Sequence, residues 1–172
     1  TADVVPDPDL QKIIEDIEAA NAEVFNEVIA TTDVYLDGVR ENVRTKETNL
    51  GNLSADAARA ATGADIAFVN GGGIREDIPV GDITKGKIAA IFPFGNTIEV
   101  KKITGADLKA MLEWSVSDYP AAKGAFLQVS GLEFTFDPAK EIGSKVVEIL
   151  VGGEAFDEAK EYTVAINDFM ST

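Results

Sequence analysis

The chain contains no histidine and no cysteine among its 172 residues. Without an imidazole, Ser–His–Asp and Cys–His nucleophile arrangements are excluded, and so is a histidine-containing dinuclear metal site. Without cysteine there is no disulfide, and the redox compartment leaves no mark on the sequence. Basic residues are scarce too: 15 lysines and arginines face 30 acidic residues, giving a formal net charge of −15. Such a surface lacks the positive field that long nucleic acids and anionic membranes require. It does not bar a small phosphorylated ligand, which needs only one or two local arginines. No apolar run is long enough to span a bilayer, and Thr1 to Asp9 is acidic rather than signal-like, so any targeting segment is expected outside this stretch.

What is present suffices for a core. Apolar residues make up 45% of the chain, enough for one domain, or one domain plus an appended element. Thr1 to Pro6 reads as a linker. Asp7 caps a long helix with Pro8 in its first turn, and Leu10, Ile13, Ile14, Ile17, Val24, Phe25 and Val28 follow at helical spacing. This helix is either a connector from a preceding domain or an ordinary first helix. Ile29 to Leu36 reads as a strand. Thr48 to Thr62 reads as a helix with Leu50, Leu53, Ala57 and Ala61 on its apolar stripe, closed by Gly63. Ile66 to Val69 is a short buried strand. Thr84 caps a short helix through Ile91, and Thr97 to Ile103 alternates as a strand. Thr104 with Asp107 opens a further helix carrying Leu108, Met111, Leu112 and Val116. Phe126 to Val129, Leu132 to Phe136, Val146 to Val151 and Tyr162 to Ile166 read as strands. Mixed elements first and strands later predict an α+β fold, a mixed sheet with packed helices.

Four segments carry candidate chemistry. After the strand ending at Val69 comes Asn70-Gly71-Gly72-Gly73-Ile74-Arg75. The glycines strip side chains from the turn, which lets backbone N–H groups approach a ligand and permits positive φ. Arg75 adds a fork-shaped cation suited to carboxylate or phosphate. The run lacks the lysine and Ser/Thr of a phosphate-binding P-loop and the spacing of a dinucleotide fingerprint. Arg44 lies four residues before the helix cap at Thr48, within reach of an anion; the alternative is a solvated arginine paired with a nearby acid. In Phe92-Pro93-Phe94-Gly95-Asn96, Phe94 offers a face to a planar ligand, whereas Phe92 is expected to pack in the core. Asn167-Asp168-Phe169 follows the last strand and by itself says nothing.

Taken in order, Arg44 through Leu53, Asn70 through Arg75, Phe92 through Asn96, Thr104 through Leu112, Phe126 through Gly131 and Asn167 through Phe169 make a combination. It resembles the C-terminal, substrate-binding domain of the 5′-nucleotidase family. The resemblance covers residues 30–172, and residues 1–29 resemble a linker and the helix that joins that family's two domains. It implies a parent hydrolase acting on phosphate esters of nucleotides. An N-terminal metallophosphoesterase domain, absent here, would carry two divalent metal ions and the catalytic residues. This stretch would carry no cofactor and no catalytic residue of its own. By the same resemblance, Phe94 and Phe169 sandwich the base and Asn70 contacts the ligand from the strand end. Arg44 and Arg75 bind the phosphate, Gly72 and Gly73 give backbone room, and Asn96 joins the substrate-binding set. The implied partners are a nucleotide or nucleoside and the metallophosphoesterase domain of the same chain, with neither nucleic acid polymer nor membrane. The implied location is extracellular, cell-wall or periplasmic. The family's Gly-Gly-Asp-Gly-aromatic segment does not occur before Thr172, so the nucleoside pocket is expected to be incomplete. The competing reading is a stand-alone nucleoside or sugar-phosphate binding module without catalysis; the upstream reading frame separates the two. With divalent metal supplied, the 172-residue chain is expected to release no phosphate from AMP above a blank in a colorimetric assay. Robust metal-dependent release would overturn that division of labour.

Overall fold

The computed structural model describes residues 5–171; Thr1 to Val4 of the expected linker, and Thr172, lie outside them. The elements run α1 (Pro8–Phe25), β1 (Val28–Thr32), α2 (Arg40–Val43), α3 (Asn49–Thr62), β2 (Ile66–Asn70), β3 (Gly81–Thr84) and α4 (Lys85–Ile91). There follow β4 (Ile98–Thr104), α5 (Gly105–Ser115), β5 (Leu127–Ser130), β6 (Leu132–Phe136), β7 (Val146–Val151), β8 (Glu154–Ala155) and β9 (Glu161–Asn167). Single 3-10 turns follow β2 at Gly71–Gly73 and β9 at Asp168–Ser171.

Local side chains start the helices where the sequence predicts. Asp7 Oδ1 accepts the Asp9 and Leu10 N–H groups, and Thr48 Oγ1 accepts that of Gly51. Thr84 does the same for Lys87, and Thr104 accepts from Asp107 N–H while donating its hydroxyl to Asp107 Oδ2. Each cap satisfies an N–H group that the first helical turn leaves without an internal partner. Gly63, at φ 68°, closes α3 in the left-handed conformation that a Cβ disfavours.

The central sheet has the order β4-β9-β2-β5. Strand β2 runs parallel to β9 and antiparallel to β5, and β4 is antiparallel to β9. The sheet is therefore mixed and the fold α+β, as expected. Every residue of β2 is buried, and its alternation divides the core. Ile66 and Phe68 face α5, meeting Leu108 and Leu112, with Leu132 and Ile149 of the β6-β7-β8 sheet completing that cluster. Ala67 points the other way, where Ala58 of α3 and Ala165 of β9 make a small-residue contact that brings the helix close to the sheet. Val69 joins Val43, Leu50, Ile74 and Ile91 nearby.

Three expectations change. The buried stripe of α3 is Leu50, Gly51, Ala55 and Ala58, whereas Leu53 is 49% exposed and Ala57 and Ala61 face outward. The helix rolls its smallest side chains onto the sheet because close approach there excludes larger ones. The strand expected over Ile29 to Leu36 stops at Thr32, where the Thr32 hydroxyl accepts the Val34 N–H and donates to the Val34 carbonyl, turning the chain. Leu36 pairs separately with Ile78. Helix α1 forms as predicted, yet none of its residues is buried; its apolar face, Leu10 through Phe25, is 48–61% exposed.

The parallel β2–β9 pair is pinned at its start by Asp65. Its carboxylate accepts the Thr163 N–H at 2.9 Å and the Thr163 hydroxyl at 2.7 Å, while the Asp65 N–H donates back to Thr163 Oγ1. The backbone and then the hydroxyl bond from Thr163 hold the Asp65 carboxyl below its ordinary pKa. Asp65 is exposed, so solvent discounts the pair. Asp65→Ala is expected to lower stability at pH 7 by about 1 kcal/mol in urea unfolding. A depressed folded-state pKa stabilises fully above the unfolded value, so the gap between the native chain and Asp65→Ala should close as pH falls below about 4.

Candidate functional site

Topology brings the candidate segments to one edge of the sheet. Strands β2 and β9 are parallel, so Asn70 and Asn167 end them on the same side. Ile98, at the start of β4, pairs with Asn167, and Leu127, at the start of β5, pairs with Asn70. The loops carrying Phe94 and Gly124 therefore arrive at that edge as well. Carboxyl ends of parallel strands are a recurrent place for ligands, because loops there diverge and leave a crevice. Here the crevice is a cavity of about 650 Å³. Asn70, Gly72, Gly73, Phe94, Asn96 and Phe169 line it, so six of the eight candidate residues meet in one place. Its apolar back wall is Met111, Trp114 and Met170.

The glycine run works differently from expectation. None of Gly71, Gly72 or Gly73 has positive φ. The Gly71 N–H donates to Phe126 O at 2.7 Å and the Gly72 N–H to Gly124 O at 2.8 Å, so both serve the fold rather than a ligand. Small size is what the turn needs: a Cβ on Gly71 would overlap the Val43 carbonyl oxygen. One on Gly72 would press the Gly124 backbone and the Asn70 side chain. Asn70 is buried; its Oδ1 accepts from Asn167 Nδ2 at 3.0 Å, and its Nδ2 donates to Gly124 O at 3.5 Å. Phe94 and Phe169 are 60% and 70% exposed, and both line the cavity. Phe92 is also partly exposed at 39%, against expectation: Ile91 takes the fully buried position and leaves Phe92 on the turn.

Arg44 caps α2, one residue after the fully buried Val43. Burial first, then the cations of Arg40 and Arg75, lower its pKa from the ordinary arginine value, though a guanidinium stays charged. Among the described residues, Arg40, Arg44 and Arg75 form no ion pair with a carboxylate, and the buried Nε of Arg44 has no hydrogen-bond partner. Arg40 and Arg75 both act on Arg44, with Glu41 an opposing charge, and a local excess of cations without direct ion pairs suits an anion. Arg75 links this cluster to the cavity: its guanidinium carbon lies 5.7 Å from the Phe94 ring centroid, and its Nη1 donates to Gly72 O at 3.4 Å. Sequence reasoning omitted Arg40. The signal was available, since Arg40 and Arg44 stand four apart, one helical turn, on α2. Trp114 was also missed, because an exposed tryptophan on an amphipathic helix carries no motif.

Gln128 of β5 sets the Arg44 loop. It is 1% exposed, donates to Val43 O at 3.0 Å and Lys46 O at 2.8 Å, and accepts from Thr48 N at 3.0 Å. A second cleft, about 640 Å³, lies against β5 and β6, and there Ser130 Oγ donates to Asp56 within the fold. Among the described residues no group of three or more His, Cys, Asp or Glu can hold a metal ion.

A family model for the 5′-nucleotidase, C-terminal domain matches residues 28–172. The trifunctional nucleotide phosphoesterase protein YfkN of Bacillus subtilis is 42% identical over 172 residues, covering 95% of this chain and 12% of that protein. The cell wall protein Lmo0130 of Listeria monocytogenes is 34% identical, covering 99% of this chain and 24% of its own. The crystal structure of a 5′-nucleotidase precursor from Thermus thermophilus superposes with TM-score 0.89 at 39% identity, over 94% of this chain and 33% of that one. The chain thus spans a third or less of each of these proteins. Gln128→Leu keeps similar bulk but strands two carbonyls and one N–H. It is expected to cost about 3 kcal/mol or more in urea unfolding; a loss well under 1 kcal/mol would mean that water takes over the amide's bonds.

Proposed function

The chain belongs to the 5′-nucleotidase C-terminal domain family, and from that premise we propose that it is the nucleotide-gripping domain of a two-domain nucleotide phosphohydrolase. The observation that carries the reading is the junction at Arg75, which touches the aromatic cavity on one side and the unpaired arginine cluster on the other. A nucleotide has the same two halves, a flat aromatic base and a phosphate. The base stacks between Phe94 and Phe169, with Asn70 and Asn96 at its edge and Gly72 and Gly73 as the floor. Arg44 and Arg75, joined by Arg40, hold the phosphate by charge-assisted hydrogen bonds.

Among the described residues no cluster can hold a metal ion; in this reading two divalent ions would sit on the metallophosphoesterase domain of the same parent chain. When bound there they activate water and polarise the phosphoryl group. The arginines orient the phosphate toward that domain and neutralise its charge, a positioning role. Helix α1, Pro8–Phe25, acts as the interdomain helix, ending before β1 begins the domain at Val28, and its uncovered apolar face fits a segment at such a junction. Export to the cell wall, the periplasm or outside is the matching location, supported by the cell wall relative.

Calorimetry tests the reading on both halves of the ligand. Phe94→Ala should weaken AMP and adenosine alike, by roughly tenfold or more, since one stacked base is worth ~1–3 kcal/mol. Arg44→Ala should weaken AMP and leave adenosine unchanged. Equal loss of both ligands with Arg44→Ala would remove the arginine cluster from phosphate binding.

A further inference from the structure

The two aromatic rims of the cavity come from loops far apart in sequence, and burial holds neither ring in place. A polar buckle joins the loops instead. Asp168 Oδ1 accepts from Asn96 Nδ2 at 2.7 Å and from the Phe169 N–H at 3.0 Å. Asp168 Oδ2 accepts from the Thr97 hydroxyl at 3.3 Å, and the Asp168 N–H donates to Thr97 O at 3.0 Å. One residue earlier, Asn167 ties the same turn to the cavity floor: its Nδ2 donates to Asn70 Oδ1, and its Oδ1 accepts the Met170 N–H. Asn96 follows Phe94 by two residues, across Gly95 at φ 65°, and Asp168 directly precedes Phe169. The buckle therefore acts within one or two residues of each ring.

We infer that Asp168 is a positioning residue: its carboxylate, bridging Asn96 and Thr97 to the Phe169 turn, sets the separation of Phe94 and Phe169 and so pre-forms the slot for a nucleobase. This rests on the base-stacking reading above. Two exposed rings on independent loops would each have to be ordered when a base enters, and that ordering opposes binding. A slot spaced in advance spares it. The bonds from Asn96 and from Phe169 N–H both reach Oδ1, so asparagine in place of Asp168 keeps the two that join the loops. The device needs an acceptor oxygen more than a negative charge, which also suits a site built for an anionic ligand.

The test uses the intact 172-residue chain with two probes, adenosine and ribose 5-phosphate, in calorimetric titrations. Trp114, the chain's single tryptophan, lines the cavity and gives a parallel fluorescence signal for base entry. Asp168→Ala should weaken adenosine by about tenfold while ribose 5-phosphate binds as in the native chain, the loss being one of pre-organisation. Asp168→Asn should restore adenosine binding. Asn96→Ala removes one tie from the other loop and leaves those from Thr97 and Phe169 N–H intact. It should weaken adenosine too, and the double variant Asn96→Ala/Asp168→Ala should lose less than the sum of the two single losses, because they share one bond. Native adenosine affinity in Asp168→Ala overturns the inference, and so does an equal loss of both probes, which marks general loosening. Failure of the native chain to bind adenosine at all is a separate result: it overturns the base-stacking reading, and this inference falls with it.

Discussion

A single buried amide holds the arginine-bearing side of this domain in place. Gln128 lies under the segment between α2 and α3 and makes its three hydrogen bonds to residues 80 to 85 positions away. Its neighbour Gly51 is glycine because a Cβ there would overlap the Gln128 side chain. The amide thus dictates a residue on α3, anchors the turn that presents Arg44, and fixes that turn to β5. A buried primary amide without partners would be strongly destabilising; with all three it specifies one geometry for a loop that has little apolar surface of its own.

That geometry matters because the molecule as a whole repels its proposed ligand. With a net charge of −15, an approaching phosphate meets an unfavourable far field. At physiological ionic strength that field fades within about 8 Å, so direct neighbours decide. The direct neighbours are cations that repel one another, offset in part by Glu41 but in direct ion pair with no carboxylate among the described residues. Their mutual repulsion, with Arg44 partly desolvated, is relieved when an anion enters. The cluster is stable without one only because packing at Val43, Gly71 and Gln128 holds its backbone.

The parts legible in the sequence were those decided within a few residues. Asp7, Thr48, Thr84 and Thr104 cap helices by bonds to amides two or three positions on, and each was read correctly. Of the candidate residues around the cavity, the glycine run and Phe94 were singled out from their local motifs, whereas Asn96 and Phe169 came from the family resemblance. What escaped was decided by distant partners. The stripe of α3 turned toward Ala67 and Ala165, which no periodicity on the helix reveals. Within the glycine run, the Gly71 and Gly72 N–H groups go to Phe126 and Gly124 and the bareness of Gly71 accommodates Val43, while Gly72 and Gly73 line the cavity. Asp168 looked empty of meaning because its partner Asn96 lies 72 residues away. Arg40 went unremarked because lone surface arginines are common, and only the fold gathers three of them.

The fully buried strand β2 has a consequence for how motion is distributed. Its amides sit between two neighbouring strands and beneath helices on both faces, so they open only when the whole domain opens. The aromatic rims, four residues or fewer beyond the ends of β4 and β9, belong to exposed turns, the kind of segment that opens at lower free energy. Ligand-facing surface and fold-bearing surface are thus adjacent in space and separate in protection against hydrogen exchange. A lineage can exchange rim side chains, and with them the preferred base, while the slowest-exchanging amides beneath keep the scaffold unaltered.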